Sequence, residues 1–181
     1  MTSQKEKELK ESFLQRNQIA ETGIPAAIRR NKLYADNIGH EKKQEIIDYW
    51  RKQLDILAKK YKEEQSRETF LKDVKHLVEN MNKKFGDSFS STKFRFSHAQ
   101  KSLSVLLKYR WCKGVISRPP VCPIDRNVLH EMHSPYKYWS WTKLSEDKYY
   151  KVYEELERMA KENHYYSVAQ MELEWFENIN K

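Results

Sequence analysis

Cysteine, glycine and proline are all scarce in this chain. Only Cys112 and Cys122 occur, too few and too far from any His/Cys cluster to build a disulfide framework or a closed zinc site, so both are expected as free thiols. Four glycines and five prolines in 181 residues cannot supply the frequent turns of a many-stranded sandwich or barrel. No apolar run approaches the roughly 20 residues that a membrane span requires, and the polar, charged Met1 to Lys10 segment does not read as a signal peptide. A cytoplasmic protein without a membrane partner is therefore expected. Gly-rich phosphate loops, nucleophile elbows and Cys/His dyads of recognisable spacing are missing too, so no cofactor is called for.

What is present is charge and aromatic rings. Charged residues make up 33% of the chain against 39% hydrophobic, which puts much of it into surface helices with wet outer faces. Tyr, Phe and Trp number 11, 7 and 5, and their large buried areas argue against global disorder. A chain of this length is read as one domain, 1–181, able to bury about two-thirds of its unfolded surface. The formal net charge of +8 attracts polyanions such as nucleic acid or acidic lipid heads.

Hydrophobic spacing predicts an all-α, globular, multi-helix domain with a Pro-rich loop and an aromatic loop. Gln4 to Glu21 reads as an amphipathic helical arm (within 1–21) with Leu9, Phe13 and Leu14 on its apolar side, broken by Gly23-Ile24-Pro25. A short helical stretch, Pro25 to Tyr34, carries Arg29, Arg30 and Lys32. After Gly39 a long helix places Ile46, Trp50, Leu54, Leu57 and Tyr61 on one stripe. Ser66 is the expected N-cap of a helix with Phe70, Val74, Leu77, Val78, Met81 and Phe85 inside, ending at Gly86. Asp87 to Phe96 reads as a loop. Ser97 and Gln100 fit a capping box, followed by Leu103, Leu106, Leu107 and Trp111 up to Gly114. Pro119, Pro120 and Pro123 stiffen a connection to a helix at Ile124 to Met132. Ser145 opens another helix with Tyr149, Val152, Tyr153, Leu156 and Met159 buried, and Ser167 with Gln170 caps the last, which carries Val168, Met171, Leu173, Trp175 and Phe176.

The strongest local anomaly is the run Lys93, Arg95, Lys101, Lys108, Arg110, Lys113, Arg118 and Arg126, in which Asp125 is the sole carboxylate. Such a run repels itself and invites a phosphate backbone. Helical spacing puts Lys101, Ser104 and Lys108 on one face, opposite Leu103, Leu106 and Leu107, and that face is expected to look outward. For any one of these lysines a solvated helix face is the better explanation, and it is the cluster that asks for more.

Asp125, in Cys122-Pro123-Ile124-Asp125-Arg126, stands at the expected start of a helix. It either caps that helix or pairs across a cleft with Lys101 or Lys108. The order of a helical lysine, an apolar helix body and a Pro-Ile-Asp at the next helix start resembles the catalytic segment of helix-hairpin-helix superfamily DNA glycosylases of the oxoguanine type. That resemblance, over about a sixth of the chain between Ser97 and Leu129, implies that Lys101 or Lys108 attacks the sugar C1′ while Asp125 stabilises the charge that develops as the base departs.

The aromatic run Tyr136 to Trp141 fits the same idea, since Tyr138, Trp139 and Trp141 could hold an extruded base, although core packing or stacking on a single strand would use the same rings. His130 and His133 lie too close for a His-Glu-x-x-His zinc motif and have no third ligand, so no metal is expected. The expectation is a nucleic-acid-binding protein, with DNA the leading partner and a glycosylase or lyase as its sharper form. The contact residues would be Lys93, Arg95, Ser104, Arg110, Lys113, Arg118, Arg126 and the aromatic loop. The competing reading is a non-catalytic interaction module whose N-terminal arm docks a protein partner or a second copy.

Overall fold

A computed structural model of the chain describes residues 3–16, 23–29 and 32–179. These residues form the helices α1 (Ser3–Arg16), α2 (Ile24–Ile28), α3 (His40–Ala58), α4 (Arg67–Phe85), α5 (Phe96–Cys112), α6 (Arg126–Glu131), α7 (Glu146–Glu162) and α8 (Val168–Ile179). Among the described residues the only β feature is an isolated antiparallel bridge between Tyr34 and Phe89. The architecture is all-α, as the spacing predicts, and no described helix is long and apolar enough to cross a membrane.

The amphipathic helices form where their stripes place them. In α3, Ile46, Trp50, Leu54 and Leu57 are buried, and Tyr61 follows in a 3₁₀ turn, Lys59–Lys62. Ser66 caps α4 by accepting from the Thr69 amide at 3.2 Å, and Ser145 and Ser167 open α7 and α8 in the same way through Lys148 and Gln170. The second half of the expected box at α8 is displaced by one residue: the Gln170 side chain accepts from the amide of Tyr166, not of Ser167. The segment 89–95 is a loop, held by Asn82, whose amide both donates to the Phe94 carbonyl and accepts from its N–H.

Helix α5 is the axis of the fold. It packs against α1, α2, α3 and α4, and every residue from Ser97 to Tyr109 is buried. Small side chains at Ser97, Ala99, Ser102 and Ser104 let neighbours approach closely. Gly23, at φ 68°, is the extreme case: a Cβ there would sit 2.2 Å from the Ser102 carbonyl oxygen. A left-handed conformation without a side chain is what allows α2 to rest on the α5 backbone.

Three sequence expectations change. The start of α5 is capped by Arg95 and His98, not by Ser97 and Gln100: His98 Nδ1 accepts from the Arg95 amide at 3.0 Å. Ser97 instead donates to the Thr142 carbonyl and Gln100 to that of Ile124, because a helix buried on all sides spends its polar groups on other elements. The helical stretch from Pro25 ends at Ile28, and Leu33 to Ala35 pairs with Ser88 to Ser90 instead; Arg30 and Asn31 lie outside the described residues. Finally, α1 is no free arm. Phe13 is buried, edge-on to Tyr109 and Phe176, and Glu6 bonds Lys10, Arg118 and Gln170. The apolar side of α1 is thus used within the chain, against α5 and α8; residues 17–21 of the expected arm lie outside the described residues.

Candidate active site

The Pro-rich connection delivers Asp125 to α5. Val121, Cys122 and Ile124 are buried, Gln100 Nε2 donates to the Ile124 carbonyl at 2.9 Å, and the Tyr153 hydroxyl donates to the Pro120 carbonyl. With the backbone clamped on both sides, Asp125 enters the first turn of α6 and does two things at once. Its Oδ1 accepts from the Val128 amide at 3.0 Å, capping the helix, and its Oδ2 accepts from Lys101 Nζ at 2.6 Å. The two alternatives open from sequence, cap and cross-cleft pair, coexist in one carboxylate.

Lys101 is only 6% exposed, yet its pair with Asp125 borders a cavity of about 340 Å³ that opens to solvent between Ala26, Arg29, Arg126, Asn127 and Trp141. Burial pushes the Asp125 carboxyl up, but the charge and hydrogen bond of Lys101, the Val128 amide and the more distant Lys108 together hold it below its ordinary value. It is therefore an ionised carboxylate at neutral pH, facing an ammonium in a partly dry setting. Arg29 and Arg126 have no carboxylate partner among the described residues, so the rim carries net positive charge.

Lys108 is placed differently. Its Nζ lies 2.9 and 2.8 Å from the two oxygens of Glu172 and over the rings of Phe13 and Phe176, at 4.6 and 4.2 Å. It is enclosed by α1 and α8; Ser104 is fully buried too, and its hydroxyl returns to the Gln100 carbonyl at 2.6 Å. The outward-facing stripe expected of Lys101, Ser104 and Lys108 is thus an interior one. Each lysine is neutralised by a carboxylate far away in sequence, and this is what makes their burial tolerable. Of the two lysines, Lys101 alone pairs with Asp125.

The remaining expected contact residues do not form one track. Lys93 is exposed with φ 56° and donates to the Gly86 carbonyl. Arg95, half-buried at the start of α5, borders a separate hollow with Lys32 and Asp36. Arg118 is taken up by Glu6 and lies over the Tyr166 ring at 4.5 Å. Arg110 pairs with Asp55, and Lys113 sits over Tyr109 at 4.6 Å. Of these cations, only Arg126 joins Lys101 and Asp125 at their cavity. In the aromatic loop, Trp141 lines that cavity, Trp139 packs edge-on with Tyr136 at 5.2 Å, and Tyr138 is 76% exposed.

Arg29 and Asn127 belong to the cavity without having stood out as site residues. Asn127 follows Asp125-Arg126 directly, and Arg29 follows a proline-started helix in a basic cluster, so proximity to those signals is what could have found them. His130 and His133 are exposed, and no group of three or more His, Cys, Asp or Glu is arranged to hold a metal among the described residues. No family model, no curated protein and no solved structure matches this chain.

Proposed function

We propose that the protein acts on nucleic acid as a base-excising enzyme of the glycosylase/lyase kind, with Lys101 as nucleophile and Asp125 as its assisting carboxylate. The observation that supports this reading is the 2.6 Å contact between a buried ammonium and an ionised carboxylate at the wall of a solvent-accessible cavity. Such a pair is an expensive way to build a core, and it gains a purpose if a substrate sugar reaches it.

In this reading the substrate phosphates lie against Arg29 and Arg126, and an extruded base meets Trp141. Closure of the cavity by the nucleotide removes water from the pair. Two opposite charges in a dry site relax by moving the proton from Lys101 Nζ to Asp125 Oδ2, which frees the amine lone pair. The Nζ–C1′ bond forms as the glycosidic C1′–N bond breaks, and the leaving base carries away the bonding electrons and takes the proton held by Asp125 Oδ2, which restores the carboxylate. Asp125 then takes a proton from Nζ and passes it to O4′ as the C1′–O4′ bond breaks, while the Nζ lone pair forms the protonated imine to C1′.

The imine makes the reading testable. The full chain is incubated with oligonucleotides bearing oxidised, alkylated, deaminated or abasic positions in the presence of borohydride, which supplies the hydride that fixes the adduct. A covalent protein–DNA species is expected on denaturing gels, absent in Lys101→Ala and in Lys101→Arg. No adduct across the panel overturns the proposal.

A further inference from the structure

The Lys101 cavity has a neighbour with which it shares a lining residue. Arg29, on its rim, also lines a second hollow of about 510 Å³ between α2 and α3, walled by Ile24, Ile28, Ile47 and Arg51. Arg51 in turn lines a third, of about 580 Å³, between α3 and the far end of α5, with Leu54, Tyr109, Arg110, Lys113 and Val115. Arg29 thus borders the first and second hollows and Arg51 the second and third, so the three adjoin in a row that makes a segmented trough.

We infer that this trough is a groove for a single strand of nucleic acid leading to the Lys101–Asp125 site; the ligand class rests on the function proposed above. Cations recur along its whole length, at Arg126, Arg29, Arg51, Arg110 and Lys113. Among the described residues, the carboxylates that border it are Asp125 and Asp55, paired with Lys101 and Arg110. Arg51 is held only by a half-exposed pair with Asp48, the kind of surface contact a phosphate displaces at little cost.

Between the cations the walls are aliphatic: Ile24, Pro25, Ile28 and Ile47 in the middle hollow, Leu54 and Val115 at the far end. A duplex keeps its base faces stacked and presents phosphates and base edges, whereas a single strand has uncovered base faces that gain from apolar surface, so alternating cations and aliphatic walls favour the single strand. The run of α5 from Lys101 to its C-cap Lys113 spans about 18 Å. That accommodates about five nucleotides at the per-strand spacing of DNA.

The test is fluorescence anisotropy of the full chain with undamaged, labelled oligothymidylates of increasing length, over a salt series. Affinity should climb with length up to about five nucleotides and then level, with a log–log salt slope of about −2 from Arg126, Arg29 and Arg51. Arg51→Glu should weaken binding several-fold and bring the slope to about −1.4, with Arg51→Gln between it and the unchanged chain in affinity. Circular dichroism and melting identify any variant that has lost its fold, and Arg51→Gln keeps the comparison open in that case. Binding indifferent to length, unchanged in both variants, tighter for duplex than for single strand, or displaced more readily by an acidic peptide overturns the groove. Because these oligonucleotides carry no lesion, the outcomes separate. Length-dependent, charge-sensitive binding without any borohydride adduct sinks the chemistry and keeps the groove, while an adduct with charge-insensitive binding does the reverse.

Discussion

Lys108 and Glu172 meet with the ammonium 2.9 and 2.8 Å from the two carboxylate oxygens, neither side chain more than 6% exposed. Phe13 and Phe176 cover the ammonium from α1 and α8, so the pair joins the first, fifth and last helices through one contact.

Removing one member leaves the other charged and dry. Lys108→Met should cost about 3–5 kcal/mol in denaturant unfolding, and Lys108→Met/Glu172→Leu should recover most of that loss. A single substitution costing under about 1 kcal/mol would mean that water reaches the pair.

Asp125 can be dissected because asparagine caps helices as well as aspartate does. Asp125→Asn keeps the bond from the Val128 amide but strips Lys101 of its counter-charge, so it should abolish borohydride trapping. Asp125→Ala loses the cap as well and should be about 1 kcal/mol less stable than the asparagine variant. Full trapping by Asp125→Asn would remove the carboxylate from the mechanism.

Stability should respond to acid with two opposite signs. Asp125 is held below its ordinary 3.8, so its contribution is complete above that value and lost as pH falls through the lower native one. Burial pushes Glu172 above its ordinary 4.5, with Lys108 only partly offsetting. Its contribution is complete below 4.5 and lost as pH rises through the native value. Denaturation series on Asp125→Asn should flatten the loss of stability on the acid side, and on Glu172→Gln the decline above 4.5; a change on the wrong limb would reverse the assignment.

Gly23→Ala should cost well over about 1 kcal/mol, because the added methyl meets the Ser102 carbonyl and the φ of 68° disfavours any side chain. Since α2 carries Arg29 to the cavity, the same variant should also weaken oligonucleotide binding. Normal binding by a folded Gly23→Ala would show that Arg29 takes no part.

Both thiols should be inert at neutral pH. Burial pushes Cys112 up to about 12 and Cys122 well above the ordinary value, so neither supplies thiolate. An aromatic disulfide reagent should find no fast-reacting thiol in the native protein and both after denaturation; one rapid equivalent in the native state would place Cys112 in contact with solvent.

Helices α3, α4 and α7 were legible in sequence because each shows one apolar stripe against charge, and capping serines at 66 and 145 mark their starts. Helix α5 misleads for a physical reason. Lys101, Ser104 and Lys108 have the spacing of a wet face, and what turns that face inward is a carboxylate 24 residues away and another 64 away. Local spacing reports which residues share a side, not which side another helix will cover. The pairing of Lys101 with Asp125 stood among the readable alternatives, because proline rigidity and the isolation of one carboxylate among cations are both local. Arg29 was hidden since its place in the cavity depends on α2 lying against Ser102, a contact made by backbone.

Most buried helices slide and rotate cheaply against their neighbours, since one aliphatic ridge resembles the next. In α5, Ser97 answers to Thr142, Gln100 to Ile124, Lys101 to Asp125, Ser102 to Trp50 and Lys108 to Glu172. These partners belong to other segments of the chain, so a screw motion of one residue along α5 would strand all of them together. The polar core works like the wards of a lock: it adds little to the attraction between the helices, and it admits one seating.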